Sequence, residues 1–441
     1  MGVTVEHLRI EGWSTVDVGE YSSVDEAVNA TATRDPVVYA LSSGVHRLDE
    51  ELQFGERAGV AVVGGPGATI RVDDPEMSRA LTFVGTERAV VENVTFDFSE
   101  PGVGPRAIGA TVPDGLLVED VRVTGRIDRL ERPPASLMWF NVTTPEGTGV
   151  VRNLRMADGC IYESGTQQQH NYRIGVNVEA DHEGTLRLQD CEVSGFVDNG
   201  VYAKSSGPGR TIIEGGQFEN NGNGNIRLGA GEHGDDVVRD ANVVLDGEHV
   251  DHTGCGIWAQ EGRPRIEGCT ITATNWENDL LRVSEGATVR DTVIESDASS
   301  RAIKVSGERE DEVLMDNVVI RDSGSGEARQ YSVQVADGGA GVTFRNCTFR
   351  FDHGAYADRH GIHVGTPGVV FDGCEFRQTG DANVLLLLGA ERADIRFSRF
   401  RGGTLGVNGD SAASVFVGNR YDDVSTNLDS FDFDDGFDPV G

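Results

Sequence analysis

The residues best suited to chemistry recur at one position of a repeating strand, directly after an apolar residue. Side chains of a strand alternate between its two faces, so an apolar residue that points inward makes its successor point outward. Reading that outward position through successive repeats gives eight residues, none of them acidic: Tyr162, Tyr202, Arg227, Trp258, Arg282, Lys304, Gln334 and His363. We call this set the ladder. With neighbouring strands ~4.8 Å apart it would form a strip roughly 34 Å long.

The composition of the ladder suits an extended, anionic glycan. Aromatic faces pack on the apolar faces of sugar rings, and arginine or lysine forms charge-assisted hydrogen bonds with carboxylate or sulfate. The alternative interpretation is that rings and arginines simply cover a solvent-facing sheet. The residues that we predict to bind substrate are Tyr162, Tyr202, Lys204, Arg227, Trp258, Gln334 and His363.

Acidic turns beside the ladder are candidates for hydrolytic chemistry. Hydrolysis of a glycosidic bond needs two carboxyl groups, ~5 Å apart for retention or ~6.5–9.5 Å apart for inversion. Asp198, Asp251 and Asp279 precede the outward strands, one or two repeats apart. Both carboxyl separations are therefore available to this sequence.

Basic residues offer a second chemistry, β-elimination. It needs a base and a cation that neutralises the carboxylate of a uronate. Lys304 or His252 would serve as the base, and Arg282 or Arg227 as the cation. Lys204 and Lys304 are the only lysines, and lysine acts as a base more readily than arginine.

A four-residue unit positions these side chains. It begins with a turn residue, usually Asn, Asp or Gly, ends with a large apolar residue, and returns about every 27 residues. The thirteen units begin at Asn93, Asp120, Asn153, Asp190, Gly215, Gly247, Gly268, Asp291, Asn317, Asn346, Gly373, Phe397 and Gly418. A second alternating run, such as Gly256-Ile257-Trp258-Ala259, follows each unit. Short strands of constant phase with loops of varying length predict an all-β fold, a parallel β-helix of about 13 coils.

The N-terminal part fits the same architecture. Ser23-Val24-Asp25-Glu26 is a capping box that predicts a short amphipathic helix with Val24, Ala27 and Val28 on one face. Such a helix would close the open end of a solenoid. We therefore expect a cap and first coils in residues 1–80, the β-helix in 81–421 and an acidic tail or cap in 422–441.

With this repeat, the sequence resembles the right-handed parallel β-helix proteins of the pectate-lyase-like superfamily, which includes polysaccharide lyases, glycosidases and virus tail spikes. The resemblance covers roughly residues 20–421 and implies a right-handed solenoid, a polysaccharide or surface glycan as partner and, for the tail-spike type, a homotrimer. Asp198–Lys204, Arg301–Lys304 and Arg359–Ile362 look like polygalacturonase segments. Their order differs and the second aspartate is Asn199, so no catalytic role is transferred.

The charge balance predicts an unusual environment. The 441 residues include 38 basic and 72 acidic side chains, a net charge of −34. Such a surface repels itself in dilute buffer and is tolerated in concentrated salt, because the Debye length falls to ~3 Å at 1 M. We therefore favour a haloarchaeon or one of its viruses as the source, over an acidic protein from a high-GC genome. Binding to nucleic acid is not expected, since phosphates need a basic surface.

The sequence gives few signals for membranes or export. No stretch approaches the ~20 apolar residues of a membrane helix, so no membrane insertion is expected. Residues 1–10 lack a basic segment followed by an apolar one, so no signal peptide is visible. Either the protein uses another route or the sequence is the mature part of a longer product. We expect an extracellular, cell-surface or virion protein.

Cysteines and acidic residues bear on disulfides and metals. Cys191, Cys269, Cys347 and Cys374 occupy the inward second place of the unit, and only the last two lie in adjacent repeats. At most one disulfide can therefore form, and buried reduced thiols are favoured. The histidines and cysteines suggest no metal site. The seven aspartates of residues 422–441 could ligate Ca²⁺, although their spacing departs from the EF-hand and a cap or docking segment is favoured.

Three functions follow from these features. The first is recognition of an acidic surface polysaccharide by a secreted or tail-spike-like protein, with or without depolymerisation. The second is a polysaccharide lyase or glycoside hydrolase that works in brine. The third is a structural β-helix spacer.

Overall fold

The structure of the protein is a computed structural model. It describes residues 10, 12–31, 33–128, 135–161, 173–204, 207–229, 236–247, 254–307, 311–324, 330–336, 338, 341–353, 359–380, 382–388, 390, 392–407 and 413–426. The chain divides into two compact units, Met1–Asn223 and Gly224–Gly441. In each unit we number the sheets 1, 2 and 3 in the order in which one coil visits them.

The first unit contains three parallel sheets. Its sheet 1 strands are Leu52–Phe54, Arg79–Val84, Arg106–Val112, Ser136–Val142, Ile174–Val178 and Asn199–Lys204. Its sheet 2 strands are Ser14–Asp17, Val37–Leu41, Val60–Gly64, Ala89–Glu92, Leu116–Glu119, Thr148–Arg152, Thr185–Gln189 and Arg210–Glu214. Its sheet 3 strands are Gly44–Arg47, Ala68–Arg71, Thr95–Asp97, Arg122–Thr124, Arg155–Met156, Glu192–Ser194 and Gln217–Glu219.

The second unit repeats the same arrangement. Its sheet 1 strands are Gly224–Gly229, Cys255–Glu261, Asp279–Val283, Arg301–Val305, Tyr331–Val335, His360–Val364, Asn383–Leu387, Thr404–Val407 and Ser425–Thr426. Its sheet 2 strands are Val237–Arg239, Arg265–Glu267, Ala287–Arg290, Val313–Asp316, Val342–Arg345, Val369–Asp372, Ala393–Arg396 and Val415–Val417. Its sheet 3 strands are Asn242–Leu245, Thr270–Ala273, Val293–Ser296, Val319–Asp322, Thr348–Phe351, Glu375–Gln378, Arg399–Arg401 and Arg420–Asp422.

The chain is a right-handed parallel β-solenoid of about 13 turns, which confirms the predicted fold class. Each strand pairs with the corresponding strand of the next coil, as Ile257 pairs with Leu281 and Leu281 with Ile303. Inward apolar residues therefore stack on one another. In sheet 3 of the second unit the rings of Phe349, Phe376 and Phe400 stack at centroid distances of 5.0 and 4.4 Å.

The N-terminal helix forms where the capping box predicts it. Within the described residues it is the single α-helix, Val24–Ala30, preceded by the 3₁₀ turn Val18–Glu20. The Glu26 backbone N–H donates to Ser23 Oγ at 3.2 Å, which caps the first turn. Val24, Ala27 and Val28 are buried as expected. No helix among the described residues is long and apolar enough to cross a membrane.

The residue that begins the four-residue unit has a left-handed backbone. Twelve of the thirteen predicted positions lie between a sheet 2 strand and a sheet 3 strand with φ between +50° and +66°. Asn, Asp and Gly tolerate this conformation at least cost. Asn317 also donates from Nδ2 to Asp291 Oδ1 of the preceding coil at 2.6 Å. Phe397 is the one residue of these twelve that is not Asn, Asp or Gly. Its φ is 50°, and it is 67% exposed.

One predicted unit is misplaced. The unit assigned to Gly247 begins at Asp240, whose φ is 56° and which leads into the strand Asn242–Leu245. That strand pairs with Thr270–Ala273, whereas Gly247 follows it. Both tetrapeptides read as a turn residue, two further residues and a valine, so the pattern alone could not separate a strand from a loop.

All six cysteines are buried and free, in agreement with the inward phase predicted for four of them. Burial raises the pKa of Cys191 and Cys255 to about 12 and that of Cys269 to about 11. These thiols are therefore protonated at neutral pH and unreactive. They act as small apolar core residues.

Candidate functional site

Six ladder residues of the second unit lie in register on consecutive strands of sheet 1. Arg227 pairs with Trp258, Trp258 with Arg282 and Arg282 with Lys304. Lys304 in turn pairs with Gln334, and Gln334 with His363. All six side chains are half-buried between fully buried neighbours, so they point outward as the alternation predicts. Their binding role remains a prediction.

The Trp258 ring is flanked by cations. The guanidinium carbon of Arg227 lies 4.2 Å from the ring centroid, and that of Arg282 lies 5.1 Å from it. Because these arginines sit on the strands before and after Trp258, its indole lies between them, and its Nε1 donates to Ser284 Oγ at 2.9 Å. The ring that we expect to stack on a sugar thus also holds two cations in place.

A buried carboxylate fixes two arginines beside this ring. Asp279 is 1% exposed. Its Oδ2 accepts from Arg282 Nε at 2.8 Å, and its Oδ1 lies 3.3 Å from Arg301 Nε. Arg301 also donates to Gln334 Oε1 across the sheet. The cluster presents guanidinium groups that are already oriented, since their counter-ion lies beneath them.

Aromatic and imidazole groups follow on the next strands. The Tyr331 ring stacks on His363, with centroids 4.5 Å apart and an interplanar angle of 24°. It also lies 5.9 Å from the His360 ring, and His360 Nδ1 is 3.4 Å from the Asn383 amide nitrogen. Lys304 pairs in register between Arg282 and Gln334. Sheet 1 therefore combines fixed cations with groups able to transfer protons.

Carboxylates are scarce on this surface. In the sheet 1 strands of the second unit, as far as the structure describes them, the acidic residues are Asp279 and Glu261. Both oxygens of Asp279 face arginines. A pair of free carboxyl groups, which hydrolysis needs, is not formed by these strands.

The first unit carries a different outward row on its sheet 1. Tyr202 pairs with Asn177, and Asn177 with Trp139. The Arg106 guanidinium lies 4.3 Å from the Trp139 ring centroid. Burial, together with repulsion from Arg79, lowers the pKa of Arg106 to about 10, so it stays charged at neutral pH. The prediction placed Tyr162 next to Tyr202, but Asn177 occupies that register position.

The remaining predicted residues are placed as follows. Asp198 is buried, and its Oδ1 accepts from Asn199 Nδ2 at 2.7 Å and from Asn223 Nδ2 at 3.0 Å. Lys204 is half-buried at the end of the strand Asn199–Lys204. Three predicted residues lie outside the described ones: Tyr162, Asp251 and His252. The distances from the Asp251 carboxyl group to those of Asp198 and Asp279 are therefore not given by the described residues.

Sequence reasoning missed Tyr331 and Trp139 and gave Arg301 no role. Arg301, Tyr331 and His360 are in register with Asp279 at the first residue of the sheet 1 strands. They lie three residues before the ladder position. At that distance the alternation of apolar residues does not show whether a residue belongs to the strand or to the preceding turn. Trp139 lies in the run Leu137-Met138-Trp139-Phe140, whose four consecutive apolar residues show no alternation from which its outward direction could have been predicted.

Metal ligands are not clustered in the described part of the chain. No group of three or more His, Cys, Asp or Glu side chains there could hold a metal ion. The acidic segment proposed for Ca²⁺, residues 422–441, is described only to residue 426. Within it, Asp422 pairs with Arg399.

Comparison with known proteins supports the fold. The sequence matches the family described as right-handed β-helix region over residues 169–349. The search of curated proteins gave no match.

Similar solved structures include carbohydrate-active and viral proteins. The catalytic unit of a GH87 α-1,3-glucanase from Streptomyces thermodiastaticus is 13% identical with a TM-score of 0.44, covering 93% of this chain and 69% of that one. The Agl-KA catalytic domain is 14% identical with a TM-score of 0.38, covering 94% and 68%. ORF18 of Geobacillus virus E2 is 10% identical with a TM-score of 0.17, covering 94% and 62%. At such distances the function must be argued from this chain's own site.

Proposed function

We propose that the chain binds an extended acidic polysaccharide along sheet 1 of its second unit. The observation that carries the proposal is the register of Arg227, Trp258, Arg282, Lys304 and Gln334. Neighbouring strands lie ~4.8 Å apart, so successive side chains meet successive parts of a linear chain. Guanidinium and ammonium groups would bind its carboxylates or sulfates through charge-assisted hydrogen bonds.

Pre-orientation of the cations supports specific binding. Arg282 and Arg301 are held by Asp279, so little side-chain freedom is lost when a ligand binds. Half-burial also weakens screening by salt. This supports the finer proposal that the protein works in concentrated salt. The proposal further takes it to be a secreted, cell-surface or virion protein of tail-spike type and a homotrimer, as its resemblance to β-helix proteins implies.

A second candidate function is β-elimination on a uronate. A base removes the C5 proton, the bond from C4 to the glycosidic oxygen breaks, a double bond forms between C4 and C5, and the departing oxygen takes up a proton. Arg282 and Arg301 would neutralise the uronate carboxylate, and Lys304 would be the base. Asp279, the carboxylate beside these groups, is held by both arginines, which supports a role as their counter-ion in this chemistry.

The test combines binding with two product assays. The full chain is incubated in molar KCl with polygalacturonate, alginate and neutral dextran, while binding, absorbance of the unsaturated uronate and new reducing ends are followed. New double bonds indicate a lyase, reducing ends alone a hydrolase, and binding without either indicates recognition. Binding of neutral dextran as tight as that of the uronates would contradict the proposal.

Two variants and a control locate the site. Arg282→Gln should weaken uronate binding at least about tenfold, the expected cost of a charged hydrogen bond. Trp258→Ala should weaken it by a similar factor, because Arg227 and Arg282 lose the ring that lies against both of them. Arg265→Gln removes a half-buried arginine of sheet 2 that pairs with Glu267 and should leave binding unchanged. Equal binding by all three variants would mean that the ladder is not the site.

A further inference from the structure

A second set of cations lies on sheet 3 of the second unit. Arg321 pairs in register with Arg350, Arg350 with Arg377 and Arg377 with Arg401. We call these four residues the arginine row. Alternating residues such as Phe376 are fully buried, so the arginines point away from the core. The row would extend over about 14 Å at the spacing of parallel strands.

Both ends of the arginine row lie beside a carboxylate, and its centre has no ion-pair partner among the described residues. Arg321 forms an ion pair with Glu295, and Arg401 Nε lies 3.5 Å from Asp422 Oδ2. Arg350 and Arg377 are exposed and make no ion pair or hydrogen bond with any described residue. Like charges directly opposite each other on neighbouring strands destabilise a sheet. A bound anion would remove this cost.

Three residues of the row, Arg321, Arg350 and Arg377, line a groove of about 510 Å³. Carboxylate and hydroxyl side chains just beyond the ends of the same strands also line it, among them Asp297, Ser323, Asp352 and Thr379. Thr379 Oγ1 donates to Asp352 Oδ1 at 2.6 Å. Cations for acid groups thus face acceptors and donors for hydroxyl groups, a combination that matches a charged sugar polymer.

We propose that the groove along the arginine row is a second binding site, for a linear glycan that carries a carboxylate or sulfate on each sugar. Each guanidinium can bind such a group through two parallel hydrogen bonds. The described outward positions of sheet 3 in this unit carry no aromatic side chain, so the base stacking that single-stranded nucleic acids need is missing. The site is separate from sheet 1 and does not depend on the function proposed there.

The test compares two double variants of the full chain. Arg350→Gln/Arg377→Gln removes the unneutralised centre of the row. Arg239→Gln/Arg290→Gln makes the same change of charge on two exposed arginines of sheet 2. Both are made in the Lys304→Gln background, so that loss of binding on sheet 1 cannot be mistaken for loss on sheet 3. Binding of polygalacturonate, dextran sulfate, neutral dextran and oligothymidylate is measured by calorimetry at the lowest KCl concentration that keeps the chain folded.

We expect the sheet 3 variant to lose at least about tenfold in affinity for whichever charged glycan binds, and the sheet 2 variant to lose less than about twofold. Comparison of the affinities for polygalacturonate and dextran sulfate shows whether the site prefers carboxylate or sulfate. Equal affinity of both variants would overturn the site. Oligothymidylate binding as tight as that of the glycans, with the same loss, would overturn the assignment to a glycan. Because the four substituted arginines of the two double variants are all exposed, circular dichroism should show unchanged folding.

Discussion

Arg282 and Arg301 on sheet 1 differ from Arg350 and Arg377 on sheet 3 in how their charge is balanced. The first two share the buried Asp279. The other two are exposed and lack a partner among the described residues. The same residue type, on the same repeat and in the same unit, thus forms a rigid cluster on one sheet and an open row on the other.

The difference separates two kinds of binding surface. A guanidinium fixed over a buried carboxylate has a defined direction and is partly shielded from salt, so it can select the geometry of a ligand. An exposed guanidinium attracts any anion within a Debye length, and salt screens it. In a chain of net charge −34, the two sheets thus offer an anionic polymer two kinds of cation, one fixed by a buried carboxylate and one exposed.

The largest expected effect comes from removing the shared carboxylate. Asp279→Asn leaves two guanidiniums without their buried counter-ion and should lower the free energy of unfolding by about 3–5 kcal/mol. Asp316→Asn, which removes the partner of the exposed Arg345, should cost only a small fraction of that. Urea denaturation monitored by circular dichroism measures both. Similar losses in the two variants would show that Asp279 does not support a special cluster.

A smaller effect distinguishes the two lysines. Lys304 lies between Arg282 and Gln334 in register, whereas Lys204 stands at the end of its strand in the first unit. Lys304→Gln should therefore weaken uronate binding about tenfold, because it removes a charged hydrogen bond inside the proposed site, whereas Lys204→Gln, outside that site, should weaken it less than about twofold. Calorimetry with polygalacturonate provides the comparison. A larger loss for Lys204→Gln would move the site to the first unit.

Salt should separate the two sheets further. Raising the ionic strength from 0.15 to 1 M shortens the Debye length from about 8 to 3 Å. Glycan affinity that depends on Arg350 and Arg377 should fall severalfold, and affinity that depends on Arg282 should fall less. Titrations of the sheet 1 and sheet 3 variants in both salts measure each contribution. Parallel decreases on the two sheets would contradict the distinction.

The repeat could be predicted from sequence because its turn has a steric requirement. A left-handed residue such as Asn317 or Asp291 must stand between sheets 2 and 3, and few residue types tolerate that backbone. The register of Trp258 with Arg282 followed from the same phase. Gly247 was mistaken for Asp240 because a glycine in a loop satisfies the same pattern without the strand.

The partners within the site could not be predicted, since they depend on distances across the sheet. The sequence did not indicate that Asp279 would face both Arg282 and Arg301. Arg359 likewise belongs to a segment that looks like a catalytic motif, yet it is fully buried and pairs with Asp322 in the core. Alternation shows which face a strand residue occupies, but it does not show which charges meet there.

The smallest expected effect is that of an exposed ion pair, Arg345–Asp316, on how stability changes at acidic pH. The hydrogen bond from Arg345 holds the pKa of Asp316 below its usual value. A depressed carboxyl pKa contributes stability that is present above the unfolded pKa, near 3.9, and is lost as the pH falls through the lower folded value. Arg345→Gln should therefore narrow the stability difference between pH 6 and pH 3, as read from thermal unfolding in low salt. In molar KCl the same variant should match the parent, because screening already weakens the exposed pair. An equal effect in both salts would place this pair with the shielded cluster around Asp279 instead of with the exposed arginines.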